Sequence, residues 1–203
     1  MYLRQALTVI MQQLTGLYIK KLFDPYFEAP ISVWEDFSKK MIHRSFKKNE
    51  IIKDVDETEK YIDIIIEGSI GVFLWTDNHA RCVDLFYEED FSCDYMSYLE
   101  NTPSELFTQA LEKTEVFSIS RQNIDELYDD NVIGLKIMHA ATGSLFVHKQ
   151  QQQIALLTMT AEERYKYMME ETPEILHRTA SKHIASYLGV TPESLSRIRS
   201  KYG

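Results

Sequence analysis

Cysteine is scarce in this chain of 203 residues, which has only Cys82 and Cys93 and no CxxC pair. Two thiols cannot build a disulfide framework or a four-thiolate cluster, so a structural zinc site and an iron–sulfur centre are disfavoured. The histidines show no metal-ligand spacing, and GxSxG, Walker and HExxH motifs are absent. We therefore expect no metal, no resident cofactor and no enzymatic activity.

Long apolar runs are also missing. No stretch of about 18 apolar residues occurs, and the N-terminal segment has Gln12, Gln13 and Thr15 inside its apolar part. The segment also lacks the small-residue cleavage pattern of a signal peptide. We expect a cytoplasmic protein that does not associate with a membrane.

Basic residues are too few to balance the acidic ones, and the net charge is −9. This charge argues against indiscriminate nucleic-acid binding, because contacts of lysine and arginine to phosphates supply most of that affinity. The charge is uneven, however: residues 177–203 carry five basic side chains against Glu193 alone, a net charge of +4, which leaves −13 for residues 1–176. This polarity predicts a basic working surface on an acidic protein.

The first two thirds of the chain predict helices followed by a β-rich domain. Helical spacing extends to about Lys21 and recurs over residues 32–41, and residues 46–120 hold short β-rich runs. These runs predict an antiparallel barrel or jelly roll in which Gly68 and Gly71 mark a bulge or sharp turn. Their sequences are EIIKDV, YIDIIIEGSIGVFLW, RCVDLFY and VFSIS.

A long helix is predicted next. Ser120 is the predicted N-cap for RQNIDELY, and after the polar cluster 129–131 the segment 132–157 would extend about 39 Å as a helix. One of its apolar stripes fits the β domain and the other fits the same helix of a second chain; an ordinary core helix is the alternative. The stripes consist of Ile133, Ile137, Ala140, Ser144, Val147, Gln151 and Ile154, and of Leu135, Met138 and Leu145.

The last part of the chain is predicted to be a separate unit. Thr160 and Glu163 form a capping-box pattern for a helix that Thr172-Pro173 should end. We place the boundary within residues 158–160. The three predicted units are an N-terminal helical and β-rich domain at 1–130, a long dimerisation helix at 131–158 and a terminal domain at 159–203.

The segment KHIASYLGVTPESLSRIR predicts a helix-turn-helix. Gly189 supplies a left-handed helix cap, and Thr191-Pro192 supplies an N-cap followed by proline at the first helical position. The small Ala185 suits the place where the helices cross. The residues expected to face inward are Ile184, Leu188, Val190, Leu195 and Ile198. An ordinary helical hairpin is the alternative.

The outer face of the second helix is the predicted DNA-reading surface, formed by Glu193, Ser196, Arg197, Ser200 and Lys201. Arg197 can donate two hydrogen bonds to guanine, and Glu193, one turn away, can accept one from cytosine. A solvated ion pair of these two residues is the alternative. The residues predicted to contact the DNA backbone are Lys182, Thr191, Ser194, Arg199 and Lys201.

This order of strands, long helix and helix-turn-helix resembles the cyclic-AMP receptor protein and FNR (Crp/Fnr) family of bacterial transcription regulators. The markers are YIDIIIEGSIGVF, EEDFSCDY and IASYLGVTPESLSRIR, the last most similar to short-tailed members in the Bacteroidetes. The resemblance implies an α+β fold: a cyclic-nucleotide-binding-like β-barrel (jelly roll), a long dimerisation helix and a C-terminal winged helix-turn-helix. It also implies a recognition helix that reads bases through Glu193 and Arg197, with Pro192 replacing a further family arginine.

The resemblance places an effector pocket at Cys93, Asp94, Tyr95 and Ser104. Relatives that bind cyclic AMP have a glutamate for the ribose and, ten residues later, an arginine for the cyclic phosphate; this chain has Asp94 and Ser104 there. The pocket could accept another ligand, or aromatic side chains could fill it.

The sequence therefore predicts a homodimeric, sequence-specific DNA-binding transcription regulator of unknown effector, with double-stranded DNA and RNA polymerase as partners. The alternative is a ligand-sensing dimer whose C-terminal helical hairpin binds a protein instead of DNA.

The missing arginine generates a first prediction. A buried cyclic phosphate without a guanidinium loses a charge-assisted bidentate contact, so we expect no measurable affinity for cyclic AMP in isothermal titration calorimetry. A micromolar dissociation constant would contradict this expectation.

Overall fold

The computed structural model describes residues 15–76, 79–128, 132–172 and 175–202. The predicted cap at 129–131 and the predicted helix-ending Pro173 lie outside these residues. The helices are α1 (15–23), α2 (Ile31–Lys39), α3 (Tyr95–Glu100), α4 (Arg121–Tyr128), α5 (Val132–Thr158), α6 (Ala161–Glu171), α7 (Ile175–Arg178), α8 (Ser181–Tyr187) and α9 (Pro192–Arg199). The strands are β1 (Ile42–Phe46), β2 (Ile51–Lys53), β3 (Tyr61–Glu67), β4 (Ile70–Thr76), β5 (His79–Phe86), β6 (Phe91–Ser92), β7 (Leu106–Ala110) and β8 (Thr114–Ser120).

The strands form two four-stranded antiparallel sheets, in the orders β1-β8-β3-β6 and β2-β7-β4-β5. This arrangement confirms the predicted jelly-roll class. Ile65, Ile70 and Val116 come from both sheets, have almost no exposed surface and form one apolar cluster with Phe46 and Ala110, as a two-sheet core requires. Ile64 and Ile119 are equally buried but belong to the cluster that includes residues of α1 and α2.

The structure corrects several predicted boundaries. The first strand begins at Ile42 and not near Phe46, because β1 is largely exposed and gives no apolar alternation. The strand β7 was not predicted either, since a polar segment containing Pro103 precedes it. The helix α2 ends at Lys39, before Met41.

Only one of the two glycines in IIIEGSIGVF lies in a turn. Gly68 has φ of +101° between β3 and β4, and an added Cβ would lie 2.5 Å from the carbonyl oxygen of Lys113. Gly71, in contrast, lies inside β4, where an added Cβ would meet the ring of Phe73 at 2.5 Å. The prediction of a bulge or turn is therefore wrong for Gly71. A glycine is needed there because a side chain would collide with the ring of Phe73.

Helices α1, α2 and the first part of α5 pack on one side of the jelly roll. Trp34 has no exposed surface and stacks on Phe23 with 4.8 Å between ring centroids. Ile137 of α5, which is 3% exposed, belongs to the same core cluster.

Most of α5 remains exposed in the single chain. Of the predicted first stripe, only Ile137 is buried, because the helix passes beyond the edge of the jelly roll. The exposed apolar side chains in its second half are Phe146 (69%), Val147 (54%), Ile154 (50%), Leu156 (51%) and Leu157 (79%). No helix in the described part of the chain is long and apolar enough to cross a membrane.

Helices α6 to α9 form a small domain with its own core. The capping box of Thr160 and Glu163 is present and begins α6. The core includes Tyr165, Met168, Ile184, Leu188 and Leu195, and α8 packs against β5 of the jelly roll. Residues 121–128, 132–172 and 175–202 contain no strand, so they hold no strand of the wing that the resemblance implies.

Candidate nucleic-acid interface and effector site

Apolar side chains hold α8 and α9 together. Ile184 and Ala185 have no exposed surface, and Leu195 is 1% exposed. Gly189 ends α8 with φ of +69°, and the amide of Val190 donates to the carbonyl of Ala185 at 2.9 Å, as in a Schellman motif. The predicted turn chemistry and the predicted inward residues of this helix-turn-helix are confirmed.

The N-cap of α9 is also the predicted one. The hydroxyl of Thr191 accepts a hydrogen bond from the Ser194 amide at 3.2 Å, and Pro192 occupies the first turn. This cap begins α9 directly after the turn and so fixes which side of the helix faces the core. Leu195 and Ile198 face α8 as a result.

The opposite side of α9 is a solvent-exposed ridge on which Glu193 and Arg197 lie one helical turn apart. Hydrogen bonds from its own amide and from Thr191, together with the positive charge of Arg197, hold the pKa of Glu193 below its usual range. The ridge thus presents one ionised carboxylate and one guanidinium, the two groups that the sequence predicts to read bases.

The residues predicted to contact phosphates differ in their surroundings. Lys182 is exposed in the first turn of α8. Arg199, however, donates from Nη1 to the Ser181 hydroxyl at 2.8 Å, and Lys201 bonds the carboxylate of Glu162 on α6. The predicted contacts of Arg199 and Lys201 with phosphates would therefore require both side chains to exchange these partners.

The predicted effector site is occupied by a buried ion pair. The ammonium of Lys53 lies 2.8 Å from Oδ2 of Asp94, 2.7 Å from the hydroxyl of Ser104 and 2.7 Å from the carbonyl oxygen of Leu106. The Ser104 hydroxyl also bonds Asp94. The side chains of Lys53 and Asp94 are 4% and 1% exposed. All three ammonium protons are thus used inside the protein.

Asp94 also caps the first turn of α3. Oδ1 of Asp94 accepts from the Ser97 amide at 3.2 Å as the N-cap of α3. Burial alone would raise the pKa of Asp94, but hydrogen bonds from Lys53 and Ser104 outweigh it and lower the pKa. Burial raises the pKa of neighbouring Glu59, whose carboxylate accepts from the amides of Lys60 and Tyr61.

The structure separates the four residues predicted to form the effector pocket. Asp94 and Ser104 meet in the buried pair, whereas Cys93 belongs to the apolar core and burial raises the pKa of its thiol. Only Tyr95 lines the open cleft of about 1290 Å³ that extends between the jelly roll, α5 and the terminal domain. The four side chains therefore do not line one common cavity in this structure, because adjacent residues point to different regions, and the effector pocket stays a prediction.

Sequence reasoning missed Lys53. One indication of this residue was present in the sequence, which has a lysine inside the β-rich run EIIKDV. If such a lysine is buried, it needs a partner, because lysine is rarely buried without one. The side chain turns inward where β2 pairs with β7 across a register shift, and the sequence does not show this pairing. In the described ranges, no group of three or more His, Cys, Asp or Glu side chains could hold a metal ion.

Comparison with known proteins gives both a domain match and a fold match. A family model described as "Cyclic nucleotide-binding domain" matches residues 43–131. No curated protein shows a significant sequence match to the chain.

Several solved structures share the fold. FixK2 from Bradyrhizobium japonicum has a TM-score of 0.67 and 21% identity, covering 79% of this chain and 83% of that one. The c-di-GMP responsive global regulator CLP of Xanthomonas campestris has a TM-score of 0.64 and 15% identity, covering 85% and 91%. The catabolite activator protein of Thermus thermophilus has a TM-score of 0.54 and 16% identity, covering 85% and 83%.

The buried ion pair generates a second prediction. In Lys53→Met the Asp94 carboxylate stays buried without its cation, so the free energy of unfolding should fall by about 3–5 kcal/mol. Urea unfolding followed by tryptophan fluorescence measures this change. The double variant Lys53→Met/Asp94→Ala should recover much of the loss.

Lys113→Met is the matched control, because the Lys113 ammonium pairs with Glu115 at the surface, where the lysine side chain is 71% exposed. Exposed pairs contribute little. Equal unfolding midpoints for Lys53→Met and Lys113→Met would contradict the assigned burial of the Lys53 pair.

Proposed function

Because this chain has the fold of the Crp/Fnr regulators, with a cyclic nucleotide-binding domain at residues 43–131, we propose that it is a homodimeric, sequence-specific DNA-binding transcription regulator. The observation that carries the proposal is the clasp of α8 and α9, which buries Leu195 and leaves Arg197 on an exposed ridge. The net charge of +4 on residues 177–203 gives this end of the protein the sign that phosphates attract.

The exposure of each side chain indicates which residues are proposed to read bases and which are proposed to contact the DNA backbone. Arg197 donates to guanine O6 and N7, and Glu193 accepts from cytosine N4. Lys182, Thr191 and Ser194 contact phosphates and fix the register of the helix in the major groove. Arg199 and Lys201 join them when DNA replaces Ser181 and Glu162 as their partners.

The exposed second half of α5 is the proposed dimer interface. Five large apolar side chains between residues 146 and 157 are at least half exposed in the single chain, and such an unpaired apolar face favours a second copy of the same helix. A two-fold axis along α5 would place the two α9 helices in successive major grooves, about 34 Å apart.

The sensor domain is proposed to have lost its cyclic-nucleotide site. Where relatives are expected to bind ribose and phosphate, Lys53, Asp94 and Ser104 satisfy one another. A cyclic nucleotide would have to break this buried ion pair without an arginine to replace it. If an effector exists, the cleft lined by Tyr95 is the space open to it.

The function of CLP supports a regulatory role, since it is described as a global regulator that links cell–cell signalling to virulence gene expression. A DNA target places the proposed site of action in the cytoplasm. RNA polymerase and the likeness to Bacteroidetes members remain predictions.

Base reading generates the third prediction. Arg197→Ala should weaken binding to the preferred duplex by about 1–3 kcal/mol and relax the preference at one base pair. Lys182→Ala should weaken binding to all sequences about equally and reduce the salt dependence by about one unit of slope. Fluorescence anisotropy with labelled duplexes at several salt concentrations measures both.

An equal loss for Arg197→Ala on every sequence would show that this residue touches only phosphate. Binding that does not weaken with added salt would favour the alternative in which the hairpin binds a protein.

Dimerisation generates the fourth prediction. Phe146→Glu places a carboxylate in the proposed interface, where it would be buried without a partner, and should weaken the dimer at least about tenfold in sedimentation velocity. Tyr167→Glu on α6 is the control, because this aromatic residue is comparably exposed, at 57%, but lies outside α5. A wild-type protein that is monomeric at micromolar concentration would contradict the proposed interface.

A further inference from the structure

A single arginine connects the terminal domain to the end of the jelly roll. Arg178 is the last residue of α7, and its guanidinium donates two hydrogen bonds to Glu88, at 2.7 and 2.8 Å. It also donates to Glu112 at 2.8 Å and to the carbonyl oxygen of Gly68 at 3.2 Å. These three residues belong to the β5–β6, β7–β8 and β3–β4 connections, so one side chain joins three turns of the sensor domain.

The sensor domain holds both carboxylates in place for this contact. The Gly68 amide donates to Glu88 at 2.8 Å, and the Ser69 hydroxyl donates to Glu112 at 2.7 Å. Hydrogen bonding by Arg178 lowers the pKa of Glu88 to about 2, so this carboxylate is ionised at neutral pH. A forked guanidinium suits two fixed carboxylates better than an ammonium does.

Two further hydrogen bonds also join the jelly roll to the terminal domain. The hydroxyls of Tyr87 and Thr179 lie 2.5 Å apart and both residues are buried. The Cys82 amide of β5 donates to the Ser186 hydroxyl of α8 at 2.8 Å. The terminal domain is therefore attached through α7 and α8, the elements directly before α9.

This attachment leaves the recognition surface uncovered. Glu193 and Arg197 remain exposed although α8 is packed on β5. Since α9 is clasped to α8 by buried apolar side chains, the orientation of α8 on the jelly roll also sets the orientation of α9. The contact thus orients the reading helix and does not block it.

We propose that Arg178 is a positioning residue that sets which spacing between two half-sites the dimer accepts. This inference rests on the proposed function as a dimeric DNA-binding regulator. In B-DNA each added base pair rotates a half-site by about 34° and moves it about 3.4 Å, so two rigidly held α9 helices fit one spacing. Terminal domains released from the jelly roll would fit several.

The test measures dissociation constants for duplexes that carry two half-sites at the preferred spacing, or with one or two base pairs inserted or deleted, and for a single half-site. For the wild type we expect at least a tenfold loss at altered spacing. We call the dissociation constant at altered spacing divided by that at the preferred spacing the spacing ratio. In Arg178→Met the spacing ratio should fall to about threefold or less, while the affinity for a single half-site stays within about twofold of the wild type.

Glu88→Gln separates positioning from phosphate contact, because this residue lies on the sensor domain. Glu88→Gln should lower the spacing ratio, as Arg178→Met does. Glu89→Gln is the matched control: it makes the same change in the same turn, but Glu89 pairs with Lys21 of α1 and not with the terminal domain. It should keep the wild-type ratio.

Two results would overturn the proposal: an unchanged spacing ratio in both Arg178→Met and Glu88→Gln, or an equal loss by Arg178→Met on every duplex including the single half-site. The second result would show an ordinary phosphate contact or a misfolded domain.

A measurement without DNA separates this proposal from the proposed function. Spin labels at Lys48→Cys and Ser196→Cys, both exposed positions, report the distance between the jelly roll and α9 in labelled chains diluted with unlabelled ones. We expect a narrow distribution that broadens in Arg178→Met. If the wild type binds no DNA, the proposed function and the spacing role both fail. An equally broad distribution in both proteins would contradict the attachment itself.

Discussion

The apolar clasp between α8 and α9 is the constraint on which the functional account depends. Burial of Ile184 and Leu195 fixes the rotation of α9 about its own axis, and the Thr191 cap fixes where that helix begins. Arg197 is exposed because Leu195 and Ile198 are not. A clasp of this size is possible in a short segment because Ala185 lets the helices approach closely and Gly189 allows a left-handed residue in the turn.

Buried charge serves two different purposes elsewhere in the molecule. The pair of Lys53 and Asp94 is almost completely buried and lies within one domain, where the Ser104 hydroxyl and the Leu106 carbonyl complete its hydrogen bonds. Arg178 is half-buried and joins two domains, with carboxylates that the jelly roll already orients. The first arrangement favours a sensor domain that is complete without a cyclic nucleotide, and the second favours a fixed position of α9, the proposed recognition helix.

The sequence predicted what local spacing determines. The β-rich run YIDIIIE, the capping box at Thr160 and the turn at Gly189 each depend on residues a few positions apart, and the structure confirms them as a strand, a helix cap and a helix-ending turn. Strand β1 was not predicted, because most of its side chains are exposed and its sequence therefore lacks the apolar alternation of a half-buried strand. Lys53 and Arg178 could not be found, since their partners lie about 40 to 110 residues away and depend on strand pairing and domain packing. The sequence also could not show that the adjacent side chains of Asp94 and Tyr95 point to different regions, because neighbours in the chain need not share a pocket.

Selection of bound fragments from a pool of random duplex DNA tests the central claim most directly. The claim is that the ridge of α9 reads bases in a two-fold symmetric protein. The account predicts enrichment of a palindrome whose half-sites lie about 10 base pairs apart, centre to centre, and loss of that enrichment when Arg197 is replaced by alanine. Recovery of no sequence above background, or of sequences without two-fold symmetry, would contradict it.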